Sequence, residues 1–165
     1  MKNSLLMHFK VDRNGRKINV DREFAAPVSA VWAAWTQPEI LDLWWAPKPW
    51  QTKTKQMEFR EGGQWLYAML GPAGEEFWSF AKFDAIVPQK SFSANEGFCD
   101  AQGVVNDSFP KSDWHNTFEE KGTTTMVSIE ISYASLADLE TIISMGFQEG
   151  FTSGMENLDA IFAQQ

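Results

Sequence analysis

The sequence is poor in the residues from which most redox and metal centres are built. One cysteine, Cys99, and two histidines, His8 and His115, occur among 165 residues. A lone cysteine excludes an internal disulfide and suits a reducing cytoplasm. Two histidines set far apart offer little to a zinc or other transition-metal site. Basic residues are scarce too: 14 Lys and Arg face 22 Asp and Glu, a net charge of −8. With no basic stripe among the aromatics, that balance argues against nucleic acid as a partner. No segment approaches the ~18 uncharged apolar residues of a membrane span. Lys10, Asp12 and Arg13 interrupt the apolar run that a signal peptide would need. The expectation is a cytoplasmic protein with no cofactor and no metal.

What is abundant is aromatic surface. Phe, Trp and Tyr make up 14% of the chain, as 13 Phe and 8 Trp against 2 Tyr. Hydrophobic residues at 44% and charged residues at 22% are ordinary for a globular fold. The length suits one domain, residues 1–165, able to close a core or enclose a cavity. The densest stretch is WTQPEILDLWWAPKPW, Trp35 to Trp50. It is read as structural first, plugging a core, and second as the rim of a cavity.

Along the chain the first signal is Asn14-Gly15, the residue pair of a two-residue type I′ hairpin turn. Folding there pairs Val11 with Ile18, Phe9 with Val20, Leu5 with Phe24, His8 with Asp21 and Asp12 with Lys17. One face becomes apolar and the other charge-complementary; Arg22, opposite Met7, is the misfit. Pro27, then Val28, Val31, Trp32 and Trp35, predict a helix. Pro38 ends it and opens a second carrying Ile40, Leu41, Trp44 and Trp45, which Pro47 and Pro49 stop. From Gln51 to Ala134 short alternating strands are separated by turn signals such as Gly62-Gly63 and Lys121-Gly122. Trp65, Tyr67 and Met69 form one such alternating face, and Val104 to Ser112 reads as a long loop. The periodicity then predicts one helix over 136–162, with an apolar stripe through Leu139, Ile143, Phe147, Phe151 and Leu158. Gly146, Gly150 and Gly154 share a face of it. Each costs about 1 kcal/mol in helix stability against Ala, so close packing on the sheet is expected there, with approach of a ligand as the alternative.

The order is thus hairpin, two short helices, about six antiparallel strands and one long C-terminal helix, an α+β arrangement. FAAPVSAVWAAWTQPEILDLWWAP resembles the opening of the family named after the activator of heat-shock protein 90 ATPase. Its marks fall on Ala26-Pro27, Val31-Trp32, Ala34-Trp35-Thr36, Pro38, Trp44-Trp45 and Pro47. Arg60-Glu61-Gly62-Gly63, Ile86-Val87-Pro88, Glu149-Gly150-Phe151 and Leu158-Asp159 continue the resemblance, which covers roughly Ile18 to Phe162. Ala46 and Ala81 stand where the family has Gly, and Phe151 where it has Trp. The resemblance implies the START-like helix-grip fold of the SRPBCC superfamily, a curved antiparallel sheet wrapped around the C-terminal helix with a cavity between them. Residues 1–17 are then an extra N-terminal strand and turn. The second domain of the eukaryotic co-chaperones of this name, with its chaperone-contacting motif, is not expected within these 165 residues.

No nucleophile–base constellation is visible, and no catalytic residue is assigned. His115 alternates with Trp114 and is expected on the opposite side of its strand. Glu96 alternates with Ala94 and Phe98, so its parity offers it to the interior, where its pKa would rise. A strand end or bulge that turns it outward is the preferred expectation. The first functional reading is a binding domain for a small hydrophobic or aromatic molecule, lined by Trp45, Trp65, Tyr67, Trp78, Phe80, Trp114, Phe147 and Phe151. The second is a module docking on a chaperone or other protein through its sheet. The third is a cyclase- or hydratase-type enzyme on the same fold. An exposed apolar sheet face would favour the second, and a buried ionisable pair in the cavity the third.

Overall fold

The computed structural model describes residues 5–164. One antiparallel sheet of eight strands runs in the order β1-β2-β8-β7-β6-β5-β4-β3. The strands are β1 Met7–Asp12, β2 Lys17–Phe24, β3 Gln51–Met57, β4 Gln64–Leu70, β5 Glu76–Val87, β6 Ser91–Cys99, β7 Ser112–Lys121 and β8 Thr124–Tyr133. Helices α1 (Val28–Thr36) and α2 (Pro38–Trp44) follow β2, and α3 (Leu136–Ser144) and α4 (Phe147–Ala163) follow β8.

The N-terminal register is as the sequence predicts: Val11 faces Ile18, Phe9 faces Val20, His8 faces Asp21 and Asp12 faces Lys17. Ladder pairing stops at Met7, so Leu5 lies outside the strand. The turn is not the two-residue type I′. Residues 13–16 form it, and the left-handed residue is Arg16, at φ 56°. The Asp12 carboxylate accepts from Gly15 N at 3.0 Å, and Arg16 donates from Nη1 to Ala134 O at 2.9 Å. Gly15 does not take the left-handed conformation; a Cβ there would lie 2.5 Å from Asp12 Oδ2, so a larger residue would push the Asp12 carboxylate aside. Arg22, the apparent misfit, is buried, sits 4.8 Å from the centroid of the Phe24 ring and forms an ion pair with Asp159 of α4.

The C-terminal helix is broken, where one helix was expected. Gly146 takes φ 84°, left-handed, between α3 and α4. A left-handed residue cannot continue a right-handed helix, and Gly adopts it without a Cβ penalty. This lets α3 turn away from the axis of α4. Along α4, Phe162 meets Phe24 at a 6.0 Å ring separation, and Phe151 meets Trp45 at 5.7 Å and Trp114 at 5.6 Å. The close approach that the glycine face suggested is made by Gly154, and onto the backbone of the Trp pair rather than the sheet. A Cβ there would lie 3.0 Å from Trp45 O and 3.1 Å from Trp44 O.

Helices α1 and α2 fill one half of the space between sheet and α4. Trp32 packs edge-on against Phe59, Phe92 and Phe118, and Trp35 against Phe24 and Phe118. Trp44 is fully buried and donates from Nε1 to Ala34 O at 2.9 Å. Asp42 ties α2 to the edge strand β3, accepting from Thr54 N at 3.0 Å and Thr54 Oγ1 at 2.6 Å. The stretch that opens with Trp35 is therefore mainly a plug. No described helix is long and apolar enough to cross a membrane.

Candidate functional site

The other half of that space is hollow. A cavity of about 320 Å³ opens between the sheet, α3 and the first turns of α4. Cross-strand rows explain why it lies there. On the inner face one row reads Phe83, Ala94, Trp114, Ile131, Ile18 from β5 to β2, mostly bulky. The next reads Trp65, Ala81, Glu96, Ser112, Tyr133 from β4 to β8. Two small side chains, Ala81 and Ser112, flank Glu96 at its centre. The row beyond contains Tyr67, Ser79 and Phe98. There β6 and β7 have already parted, because their pairing ends at Glu96 and Ser112. Small residues in the middle of the sheet and a split between two strands leave room that the rings around it do not fill.

Glu96 faces this cavity, against the preferred expectation of an outward turn. No bulge intervenes between Ala94 and Glu96, so parity holds and the carboxyl points inward. Burial alone pushes its pKa up to about 8, with no hydrogen bond from the described residues to offset it. At neutral pH the group is mostly a neutral acid. Tyr67 and Tyr133 flank it, and burial and then the Glu96 charge push both phenols above their usual range. Tyr67 Oη accepts from Trp45 Nε1 at 3.1 Å, which leaves its own O–H free to donate. Ser112 Oγ accepts from Trp114 Nε1 at 2.9 Å. Behind Glu96 a void of about 10 Å³ is bordered by Trp35 and Asn116. Trp35 Nε1 and Asn116 Oδ1 are buried there without partners among the described residues.

Of the residues expected at a ligand, Trp45, Tyr67, Trp114, Phe147 and Phe151 line the cavity. Trp65 lies below it, stacked on Tyr67 at a 3.9 Å ring separation and bordering only the small void. Trp78 and Phe80 do not reach it. On β5 the inward parity belongs to Phe77, Ser79, Ala81 and Phe83, so Trp78 and Phe80 face the opposite side of the sheet. There Lys55 lies over the Trp78 ring and Lys82 over the Phe80 ring. The lining also includes residues not expected at a ligand: the apolar Met69, Phe77, Phe98, Ile142 and Met145, and Tyr133, whose alternation with Ile131 and Ile129 was the available signal, besides Ser79 and Ser112, for which periodicity in apolar residues carries none. Glu96 was legible by parity.

Away from Leu66, Trp78 and Phe80, the outer face of the sheet is polar. A shallow groove there is lined by Lys82, Asp84, Asn95, Asp113, His115 and Glu130 among others. His115 Nδ1 sits 2.9 Å from Ser93 Oγ, outside, as its alternation with Trp114 predicts. Among the described residues no cluster of three or more His, Cys, Asp or Glu could hold a metal ion.

The model of one protein family matches residues 25–163: activator of Hsp90 ATPase homolog 1-like protein. The chain belongs to this family. Among solved structures, protein Ms6760 from Mycobacterium smegmatis is similar at 30% identity over 96% of each chain, with a TM-score of 0.87. A protein from Arthrobacter aurescens is similar at 26% identity, covering 96% of this chain and 92% of its own, with a TM-score of 0.90. The AHSA1 protein from Silicibacter pomeroyi shares the fold at 20% identity, covering 90% and 98%, with a TM-score of 0.71. No curated protein matches the chain. The architecture of family members is the START-like helix grip seen here.

Proposed function

We propose that this family member binds a small hydrophobic or aromatic molecule in the cavity between its sheet and α4. One observation carries the reading. An interior otherwise packed ring against ring keeps about 320 Å³ open, a volume within the range of small-molecule sites, which are mostly apolar with few polar groups. The polar groups here are few and converge: Glu96, Tyr67, Tyr133 and two serines. Docking of a protein partner through the sheet draws less support, since the outer groove is charged rather than apolar. A cyclase- or hydratase-type enzyme working through one acid draws less support, since Glu96 is the one carboxyl in the cavity and its titratable neighbours are phenols held above their usual range. The lone Cys99 suits a reducing cytoplasm as the place of this activity.

The test is a thermal-shift screen of fatty acids, aromatic acids, aromatic amines and polyketide-like compounds. A ligand that enters the cavity raises Tm by mass action and changes the indole fluorescence of Trp45 and Trp114. Gly150→Leu controls for the site, because a Cβ on Gly150 meets only Pro47 Cγ, at 3.8 Å, and a longer side chain extends into the cavity. The variant should fold and lose both signals. If no compound shifts the unaltered chain, the reading is wrong.

A further inference from the structure

The cavity's charge pattern is one-sided. It contains one carboxyl, Glu96, and its lining has no Lys, Arg or His. Two lysines beside the lining strands are turned elsewhere: Lys82 of β5 lies over the outer ring of Phe80, and Lys111, which precedes Ser112, pairs with Asp107 at 3.6 Å. The titratable groups that face Glu96 are Tyr67 from β4 and Tyr133 from β8. From β5 and β7 come Ala81 and Ser112, and from the end of α2 comes Trp45. The sides contributed by α3 and α4 are apolar: Ile142, Met145, Phe147 and Phe151. Trp114 stands edge-on to Phe147 at 5.9 Å and to Phe151 at 5.6 Å, so rings of differing tilt border one space.

Such a site rejects an anion, which would meet a carboxyl and no cation. It has two attractions for a cation. Ring faces attract ammonium groups through their quadrupole, most strongly when water is excluded. A carboxyl without a partner gains one, and the low dielectric strengthens that pairing. The net charge of −8 also favours the approach of a cation over an anion.

Building on the binding function proposed above, we propose that the ligand is an arylalkyl amine, its ammonium paired with Glu96 and its hydrocarbon end against Trp114 and Phe151. The unliganded carboxyl is mostly protonated at neutral pH, with a pKa of about 8. The amine arrives already protonated. Pairing therefore ionises Glu96, whose proton leaves to solvent; no bond to carbon changes.

Three probes of one shape test this by isothermal titration calorimetry at neutral pH: phenylbutylamine, phenylbutanol and phenylbutyrate. Running each in buffers of different ionisation enthalpy counts the protons released. The amine should bind at least about tenfold more tightly than the alcohol, with the acid weakest. About one proton should leave per amine bound, and none per alcohol. Glu96→Gln should keep alcohol binding and lose both the amine preference and the proton release. Alcohol or acid binding as tightly as the amine, amine binding without proton release, or a preference that survives Glu96→Gln would overturn the assignment while the cavity reading stands. Binding of none of the three would overturn both. The proton count is read on the unaltered chain, so the test stands even if Glu96→Gln folds poorly.

Discussion

Between the sheet and α4, one half of the interior is filled and the other half is hollow, yet aromatic rings line both. The filled half holds Trp32, Trp35 and Trp44 against Phe59, Phe92 and Phe118. The hollow half holds Trp45, Trp114, Phe147 and Phe151. What separates them is the residue opposite each ring. In the filled half the cross-strand rows carry Phe, Ile and Val, and two helices insert tryptophans. In the hollow half the central strands carry Ala81, Ser79 and Ser112, and no helix inserts. Adjacent residues divide the labour. Trp44 completes the plug, and Trp45 turns to the cavity while its backbone carbonyl packs on Gly154.

The comparison is broken most forcefully in the filled half. Trp44 is 0% exposed, so Trp44→Ala should cost about 3–5 kcal/mol in urea denaturation. Phe77, a ring at the cavity mouth, is 58% exposed. Phe77→Ala should cost less than about 1 kcal/mol, as surface changes do. Similar losses for the two would mean that the halves are packed alike.

The next effect belongs to Glu96. Its folded pKa of about 8 lies above the ordinary carboxyl value of 4.5, so between those limits the folded chain binds more protons than the unfolded one. Stability is then highest at or below the lower limit and falls as pH rises through the window. The slope from this group is at most about 1.4 kcal/mol per pH unit. Denaturation curves between pH 5 and pH 9 should show the fall, and Glu96→Gln should flatten it. An equal slope in the variant would place the carboxyl in solvent.

The smallest effects compare two glycines one turn apart on α4. Gly154→Ala drives a Cβ to 3.0 Å from the buried Trp45 carbonyl and should destabilise by about 1–3 kcal/mol, as overpacking does. Gly150→Ala meets only Pro47 Cγ, at 3.8 Å, and should stabilise the helix by up to about 1 kcal/mol. Thermal melts read both signs, and a shared sign would erase the distinction drawn between the two positions.

These contrasts also show how far the residues alone reveal the molecule. The hairpin register was legible because apolar alternation and cross-strand charge agree along the ladder, with Arg22 opposite Met7 the one exception. Its turn was not, because the Asp12 carboxylate claims Gly15 N and moves the left-handed residue to Arg16. The apolar stripe of the C-terminal helix runs unbroken past Gly146, so periodicity could not reveal the break that a single left-handed residue makes. In the site, large rings announced themselves, although strand parity on β5 puts Trp78 and Phe80 on the wrong face. The space itself was illegible: a hollow is made by what is small, and Ala81, Ser79 and Ser112 look ordinary until the sheet aligns them.

The central claim is that one half of this interior is hollow while the other, equally aromatic, is full. Xenon tests it most directly, since it enters apolar cavities without needing a specific ligand chemistry. Crystals equilibrated under xenon pressure should show the gas in the cavity bordered by Tyr67, Trp114, Ile142 and Phe151 and none among Trp32, Trp35 and Phe118. Xenon absent from the first site, or equally present at the second, would contradict the account.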